Sequence, residues 1–236
     1  MLNASKPPLT DKRLRQAIAW AVDRAEIVKL VYFGSHVVTA EPTPEPSIWA
    51  TGVNAHKGGP DLAKAKQLMN EAGVGGGLTL TYLVKSQVPV LVKTGEILRE
   101  QLKKIGITLE VQPVESGQYF EALVGKKFDI AGAWWSVTVD PDMFYNPMQH
   151  STSPWNFTGF KSEEADKRLD AFRYTASPAA RKKMYPGAGA LVPGGRLADR
   201  LQQRDPALLD EAQRERRGPA LVARAPLRGR LARLVP

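Results

Sequence analysis

The chain has 236 residues, of which 43% are apolar and 24% charged, and this composition is typical of a globular protein. No stretch approaches the roughly eighteen apolar residues of a membrane span, and the first residues lack a signal-peptide core. The absence of cysteine excludes disulfides and thiolate metal sites. More than half of the net charge of +9 falls in residues 186–236, which carry ten Arg, no Lys and five acidic residues.

Three amphipathic helices are predicted in the first third of the chain. Apolar residues recur at helical spacing after Asp11, Asp23 and Asp61; Asp11 and Asp23 stand where a helix N-cap is expected, and the third helix is predicted to start at Asp61. A loop rich in Pro and Thr, residues 42–46, separates the second helix from the third.

The period of the apolar residues changes from Leu78 onward. Alternation over residues 78–84 predicts a strand, a helix follows through residue 105, and a second alternating strand covers residues 107–111. Strand, helix and strand form a βαβ unit, whose strands pair in parallel. A short helix around Tyr119 and an apolar strand over residues 128–134 extend the unit.

The order of elements predicts an α/β fold with helices flanking a mostly parallel or mixed sheet. Residues 163–184 add two helices, the second of which starts at Ser177-Pro178. We therefore predict one domain over residues 1–185. Residues 186–236 contain no aromatic side chain and consist mainly of Arg, Ala, Leu, Gly and Pro, a composition that cannot pack a sheet.

The sequence carries none of the common catalytic signatures. It has no phosphate-binding Walker loop, no Gly-x-Ser-x-Gly elbow and no His-Glu-x-x-His zinc motif. Asp140 and Asp142 invite comparison with an acid/base pair or a metal loop, but neighbouring carboxylates are common and the calcium-loop pattern is absent. We predict no catalytic residues, no metal site and no cofactor, and we favour ligand binding over catalysis.

The best candidate for a binding site is the aromatic segment over residues 134–145. It begins where the apolar strand ends, and in open α/β sheets ligands bind outside the carboxyl ends of the strands. Clustered aromatic rings with a few polar groups suit an amphipathic ligand. Trp134 and Phe144 taken singly are equally compatible with core positions.

Four segments, in order, resemble the family 5 extracellular solute-binding proteins of ABC transporters, the dipeptide, oligopeptide and nickel class. Residues 6–24 are similar to that family's signature Pro-Pro-Phe-x-Asp-x-Arg-Val-Arg-Gln-Ala. Residues 61–66, the Trp and Asp-Pro-Asp segment over residues 134–142, and residues 153–160 continue the resemblance. The specificity lies in the four motifs together.

The resemblance implies one lobe of a type II periplasmic-binding-protein-like fold, in a two-lobed receptor that closes on its solute about a hinge. The expected partners are a small-molecule or peptide solute, the ABC permease subunits and a missing N-terminal lobe, with no nucleic acid. The implied location is periplasmic or extracellular and membrane-associated. The ligand-binding residues expected from the resemblance and the strand-end rule are Trp134, Trp135, Asp140, Asp142 and Trp155.

One position departs from the family's pattern. Many peptide-binding members carry an Asp between the Trp and the Asp-Pro-Asp that pairs with the peptide's amino group, whereas this chain has Val137 or Thr138 there. Neither can form the charge-assisted hydrogen bond that a buried ammonium requires. The family also serves metal chelates, opines and sugars, so the solute stays open.

Two alternatives and one expectation about the tail remain. A basic nucleic-acid-binding protein would use the arginines of residues 186–236 on phosphate. A glycosidase-like enzyme would use Asp140 and Asp142. We also expect a shift of reading frame near Tyr185, because the resemblance stops there and shifting Pro193–Leu197 by one base permits the family's continuation.

Overall fold

The computed structural model describes residues 1–38, 47–50, 58–134 and 140–184. Within these ranges the chain forms eight helices and three strands. The helices are α1 (Lys12–Ala21), α2 (Arg24–Tyr32), α3 (Leu62–Glu71), α4 (Pro89–Lys103), α5 (Ser116–Val124), α6 (Asp142–Gln149), α7 (Glu163–Tyr174) and α8 (Pro178–Met184). The strands are β1 (Leu78–Lys85), β2 (Ile107–Val114) and β3 (Ile130–Ala131). The predicted tail and frame shift lie outside the described residues.

The sheet has the order β2-β1-β3, and both pairings are parallel. The predicted βαβ unit is confirmed, with β1 and β2 paired over their whole length. The predicted strand over residues 128–134 is regular only at Ile130–Ala131. Leu2 adds an antiparallel bridge to Ile130.

The predicted N-caps Asp11 and Asp23 and the predicted helix start at Asp61 are confirmed. The side chains of Asp11, Asp23 and Asp61 accept hydrogen bonds from backbone N–H groups in the first turns of α1, α2 and α3. Each bond satisfies a donor that has no partner inside the helix. Local capping therefore sets where these helices begin.

Helices cover both faces of the sheet and give three layers, as the sequence predicted. On one face, α1, α3 and α4 pack on side chains that alternate along β1, including Leu80 and Val84. On the other face, α5 packs near Leu83 and Phe128. No helix in the described ranges is long and apolar enough to cross a bilayer.

Tyr82 fills a narrow space between α4 and the end of β3. Its hydroxyl donates to the carbonyl of Leu91 at 3.2 Å. A Cβ atom added to Gly95 would lie 2.6 Å from the tyrosine ring, and one added to Gly132 would collide with the hydroxyl. Only glycine leaves room for the ring at both positions.

A separate apolar cluster joins α6, α7 and Trp49, and it includes Tyr145, Leu169 and Phe172. The two helices predicted over residues 163–184 are confirmed as α7 and α8. Helix α6 was not predicted. It contains Pro147 and begins without a hydrogen bond to the side chain of its N-cap residue, so it lacks the usual signals of a helix.

Candidate functional site

The carboxyl ends of the three strands lie along one edge of the sheet because all the strand pairs are parallel. We call this the carboxyl edge and define it by residues 85–87, Glu115, Tyr119, Phe120 and residues 132–134. In open α/β sheets this edge is where ligands bind. The geometry thus places Lys85 and Trp134 in the region predicted for binding.

Lys85 ends β1 with its ammonium group over two aromatic rings. The nitrogen lies 4.1 Å from the centre of the Phe120 ring and 5.2 Å from that of Tyr119. A cation over an aromatic face is attracted by the negative charge density of the ring. The carboxyl edge therefore carries a positive group, the Lys85 ammonium, that lies over two aromatic rings.

The loops that follow β1 and β2 are joined by polar side chains. Gln87 donates to one carboxylate oxygen of Glu115, and the hydroxyl of Ser86 donates to the other at 3.4 Å. The hydroxyl of Ser116 in turn donates to Gln87. These groups are exposed, so each offers further hydrogen-bonding capacity to solvent or to a ligand.

Trp134 projects from the carboxyl edge with 70% of its surface exposed. The chain before it is fixed at Gly132, whose N–H donates to the carbonyl of Leu83 at 2.9 Å. The Gly132 carbonyl accepts from the hydroxyl of Tyr119 at 2.7 Å. Burial raises the pKa of Tyr119 to about 12, which keeps its hydroxyl protonated as a donor.

Trp155 is half exposed and lies on the α5 side of the sheet. Its ring meets the buried ring of Phe157 edge to face, with the ring centres 5.9 Å apart. Phe157 belongs to the cluster that contains Ala131 of β3 and Tyr119 of α5. Trp155 is thus tied to the elements that build the carboxyl edge, whereas Trp135 lies outside the described residues.

Asp140 and Asp142 are both paired with arginines of this chain. Asp140 binds the two terminal nitrogens of Arg181 at 2.8 and 2.9 Å. Asp142 accepts from Arg173 at 2.9 Å. Burial raises the pKa of Asp140, but the hydrogen bonds from Arg181 and from the backbone N–H of Asp142, together with the positive charge of Arg181, outweigh it, so the pKa lies below its ordinary value. Both carboxylates are positioned by ion pairs within the chain.

Sequence reasoning did not single out Lys85, Arg173 or Arg181. Lys85 could have been found, because it directly follows a predicted strand at the edge where ligands bind. Arg181 gave no such signal, since 41 positions separate it from Asp140. In the described part of the chain, no group of three or more His, Asp or Glu side chains could hold a metal ion. Val137 and Thr138 lie outside the described residues.

The profile of the family "Bacterial extracellular solute-binding proteins, family 5 Middle" matches residues 1–156. The chain belongs to this family. It is 27% identical over 197 residues to heme-binding protein A of Haemophilus influenzae, which covers 80% of the chain and 36% of that protein. It is 28% identical over 148 residues to the dipeptide-binding protein of Escherichia coli, which covers 61% of the chain and 28% of that protein.

The fold is similar to that of the oligopeptide-binding protein AppA of Bacillus subtilis, solved with a nonapeptide. The TM-score is 0.69 at 27% identity, and the match covers 78% of this chain and 40% of that one. The chain therefore spans well under half of the length of the relatives it matches. These similarities give no support to the alternative of a nucleic-acid-binding protein.

Proposed function

We propose that this chain supplies one wall of the solute cleft in the solute-binding subunit of a peptide-type ABC importer. The observation that carries the proposal is that the carboxyl edge carries both the exposed Trp134 and the ammonium group of Lys85 over the Phe120 ring. An aromatic surface next to a positive group suits an amphipathic solute with an anionic group. Residues 1–185 would form the second lobe of the receptor.

In this proposal the five residues expected from sequence divide by chemistry. The rings of Trp134, Trp135 and Trp155 would contact the solute, while Asp140 and Asp142 would border the cleft. A second lobe would cover the solute when the hinge closes, and permease subunits would receive it. The protein would work outside the cytoplasmic membrane, in association with it, and release its solute chemically unchanged.

Calorimetric titration of the purified chain tests this function. The probes are dialanine, a nonapeptide and hemin, which follow the names of the relatives. Because one wall of the cleft is present, we expect weak binding, with a dissociation constant on the order of 0.1–1 mM for at least one probe. Mass spectrometry should recover that probe unchanged.

The variant Trp134→Ala should weaken binding of that probe by about tenfold, since it removes a large contact surface. Lys103→Ala is the matched control, because Lys103 is an exposed residue in the last turn of α4. Equal binding by wild type and Trp134→Ala, or no binding of any probe, would contradict the proposal.

A further inference from the structure

Two arginines from the last described helices hold the two aspartates that flank Pro141. Arg181 of α8 makes a two-pronged ion pair with Asp140, and Arg173 of α7 pairs with one oxygen of Asp142. We call these four residues the arginine clamp. The clamp connects α7 and α8 to the first turn of α6.

Arg181 is held on several sides at once. Its Nε donates to the carbonyl of Phe172 at 3.1 Å. The guanidinium lies 4.3 Å from the ring centre of Phe172 and 5.0 Å from that of Trp49. The side chain is only 15% exposed. A planar guanidinium can stack and donate in this pattern, whereas a lysine ammonium cannot.

Helix α6 lacks several of the features that usually stabilise a helix. It spans eight residues, contains Pro147 and has no hydrogen bond from its N-cap side chain. Three of its buried polar atoms, Asp142 Oδ1, Asn146 Nδ2 and Gln149 Oε1, have no hydrogen-bond partner in the described part of the chain. Burying such atoms opposes folding.

We propose that Arg181, assisted by Arg173, is a positioning residue for the solute site. Its ion pair fixes Asp140, which directly precedes Pro141, the N-cap residue of α6, and is itself one of the predicted site residues. Asp140 and Asp142 therefore serve the site through these arginines and not by pairing with a cationic group of the solute. This inference rests on the proposed function for its connection to solute binding.

The existing contacts favour positioning over direct recognition. Asp140 already accepts from Arg181 twice and from the backbone N–H of Asp142 at 2.9 Å. A solute ammonium would have to compete with a guanidinium that is bound in two places. Breaking one partner of such a pair leaves the other charge poorly solvated.

Hydrogen exchange measured by mass spectrometry on the full chain tests the positioning role. Arg181→Ala should raise exchange by at least tenfold in peptides that cover α6 and change peptides of β1 and β2 by less than twofold. Arg181→Lys should give an intermediate increase in exchange, because the positive charge remains but the two-pronged pairing with Asp140 and the stacking on the aromatic rings are lost. Lys167→Ala is the control, since it breaks only an exposed pair with Glu163 inside α7.

Asp140→Asn keeps the shape of the side chain and covers the case in which Arg181→Ala does not fold. In the Asp140→Asn background, Arg181→Lys should add little further exchange in α6, because the two changes remove the same ion pair. Additive effects would overturn the proposal. The proposal would also be overturned if the exchange rate of α6 in the Arg181→Lys variant equalled that in the Lys167→Ala control.

The titration with dialanine, the nonapeptide and hemin separates this inference from the proposed function. If wild type binds none of them while the exchange results hold, the function fails and the positioning of α6 stands. If wild type binds a probe, Arg181→Lys should bind it at least threefold more weakly. Unchanged binding, despite faster exchange in α6, would overturn the role of Arg181 in the site.

Discussion

The core between the sheet and α1, α3 and α4 is built from aliphatic side chains and Tyr82, whereas α6 is joined to α8 by an ion pair between Asp140 and Arg181. Aliphatic packing is non-directional and tolerates small shifts in geometry. The ion pair requires two planar groups to meet in register. The sheet core should therefore determine whether the chain folds, and the arginine clamp should determine how α6 is placed.

The largest effect should come from the sheet core. Leu102 of α4 is completely buried in it. Leu102→Ala should lower the free energy of unfolding by about 3 kcal/mol, because it removes apolar contacts and leaves a cavity. Urea denaturation followed by circular dichroism measures the change. The neighbouring exposed variant Lys103→Ala should stay within about 0.5 kcal/mol of wild type, and equal losses in the two would contradict the comparison.

The two arginines of the clamp should differ from each other. Arg181→Ala should lower the free energy of unfolding by about 2 kcal/mol, because it removes a two-pronged ion pair with Asp140 and stacking on two aromatic rings. Arg173→Ala should cost less, about 0.5 kcal/mol, since the Arg173 side chain is 41% exposed and reaches one carboxylate oxygen. The same urea titration measures both variants. A larger loss for Arg173→Ala would reverse the ranking.

A fall in pH should weaken the arginine clamp and should not weaken the aliphatic core. The pKa of Asp140 is lowered in the folded chain, so its contribution is fully present above the ordinary value of 3.8. As the pH falls below that value, the unfolded chain binds a proton first and the contribution declines. The contribution of Asp140 to stability is lost completely below its pKa in the folded chain. The difference in stability between wild type and Arg181→Ala should accordingly shrink between pH values of about 5 and 2.

A matched titration of Leu102→Ala provides the control for pH. Its difference from wild type should stay nearly constant over that range, because no ionisable group is removed. If the stability differences of Arg181→Ala and of Leu102→Ala from wild type fell in parallel as the pH was lowered, the effect of acid would be general and would not arise from Asp140.

An effect smaller than that of Leu102→Ala or Arg181→Ala should come from a helix cap in the sheet body. Asp61→Ala removes the hydrogen bond to the N–H of Lys64 at 2.9 Å. The loss should be about 1 kcal/mol, with little change at α6. Asp61→Asn should retain most of the stability because an amide oxygen can accept the same bond. Equal losses in the two variants would argue against capping.

The sequence predicted the sheet body well because the information there is local. Alternation in β1, helical spacing in α4 and caps such as Asp61 are signals within a few residues of the element they define. Helix α6 was missed because Pro147 usually ends a helix and Pro141 supplies no capping side chain. The pairing of Asp140 with Arg181 depends on how the chain folds back on itself, which no local pattern records.

The candidate site shows the same division. The strand-end rule placed Trp134 at the carboxyl edge, but it did not reveal that Asp140 and Asp142 are bound by arginines of the chain. The roles of Trp134, Trp135, Asp140, Asp142 and Trp155 in ligand binding stay predictions until the titrations are made. The boundary at residue 185 also stays a prediction.

The fit of Tyr82 between Gly95 and Gly132 restricts how these three positions can evolve. An alanine Cβ at Gly132 would collide with the tyrosine hydroxyl and would lie 2.8 Å from the ring carbon that carries it, so removal of the hydroxyl alone would not make room. An alanine Cβ at Gly95 would lie 2.6 Å from the ring itself, so either change requires a side chain smaller than an aromatic ring at position 82 in the same lineage. Substitutions at Gly95 of α4 and at Gly132 should therefore be inherited together with a change at position 82 of β1, in pairs or triplets.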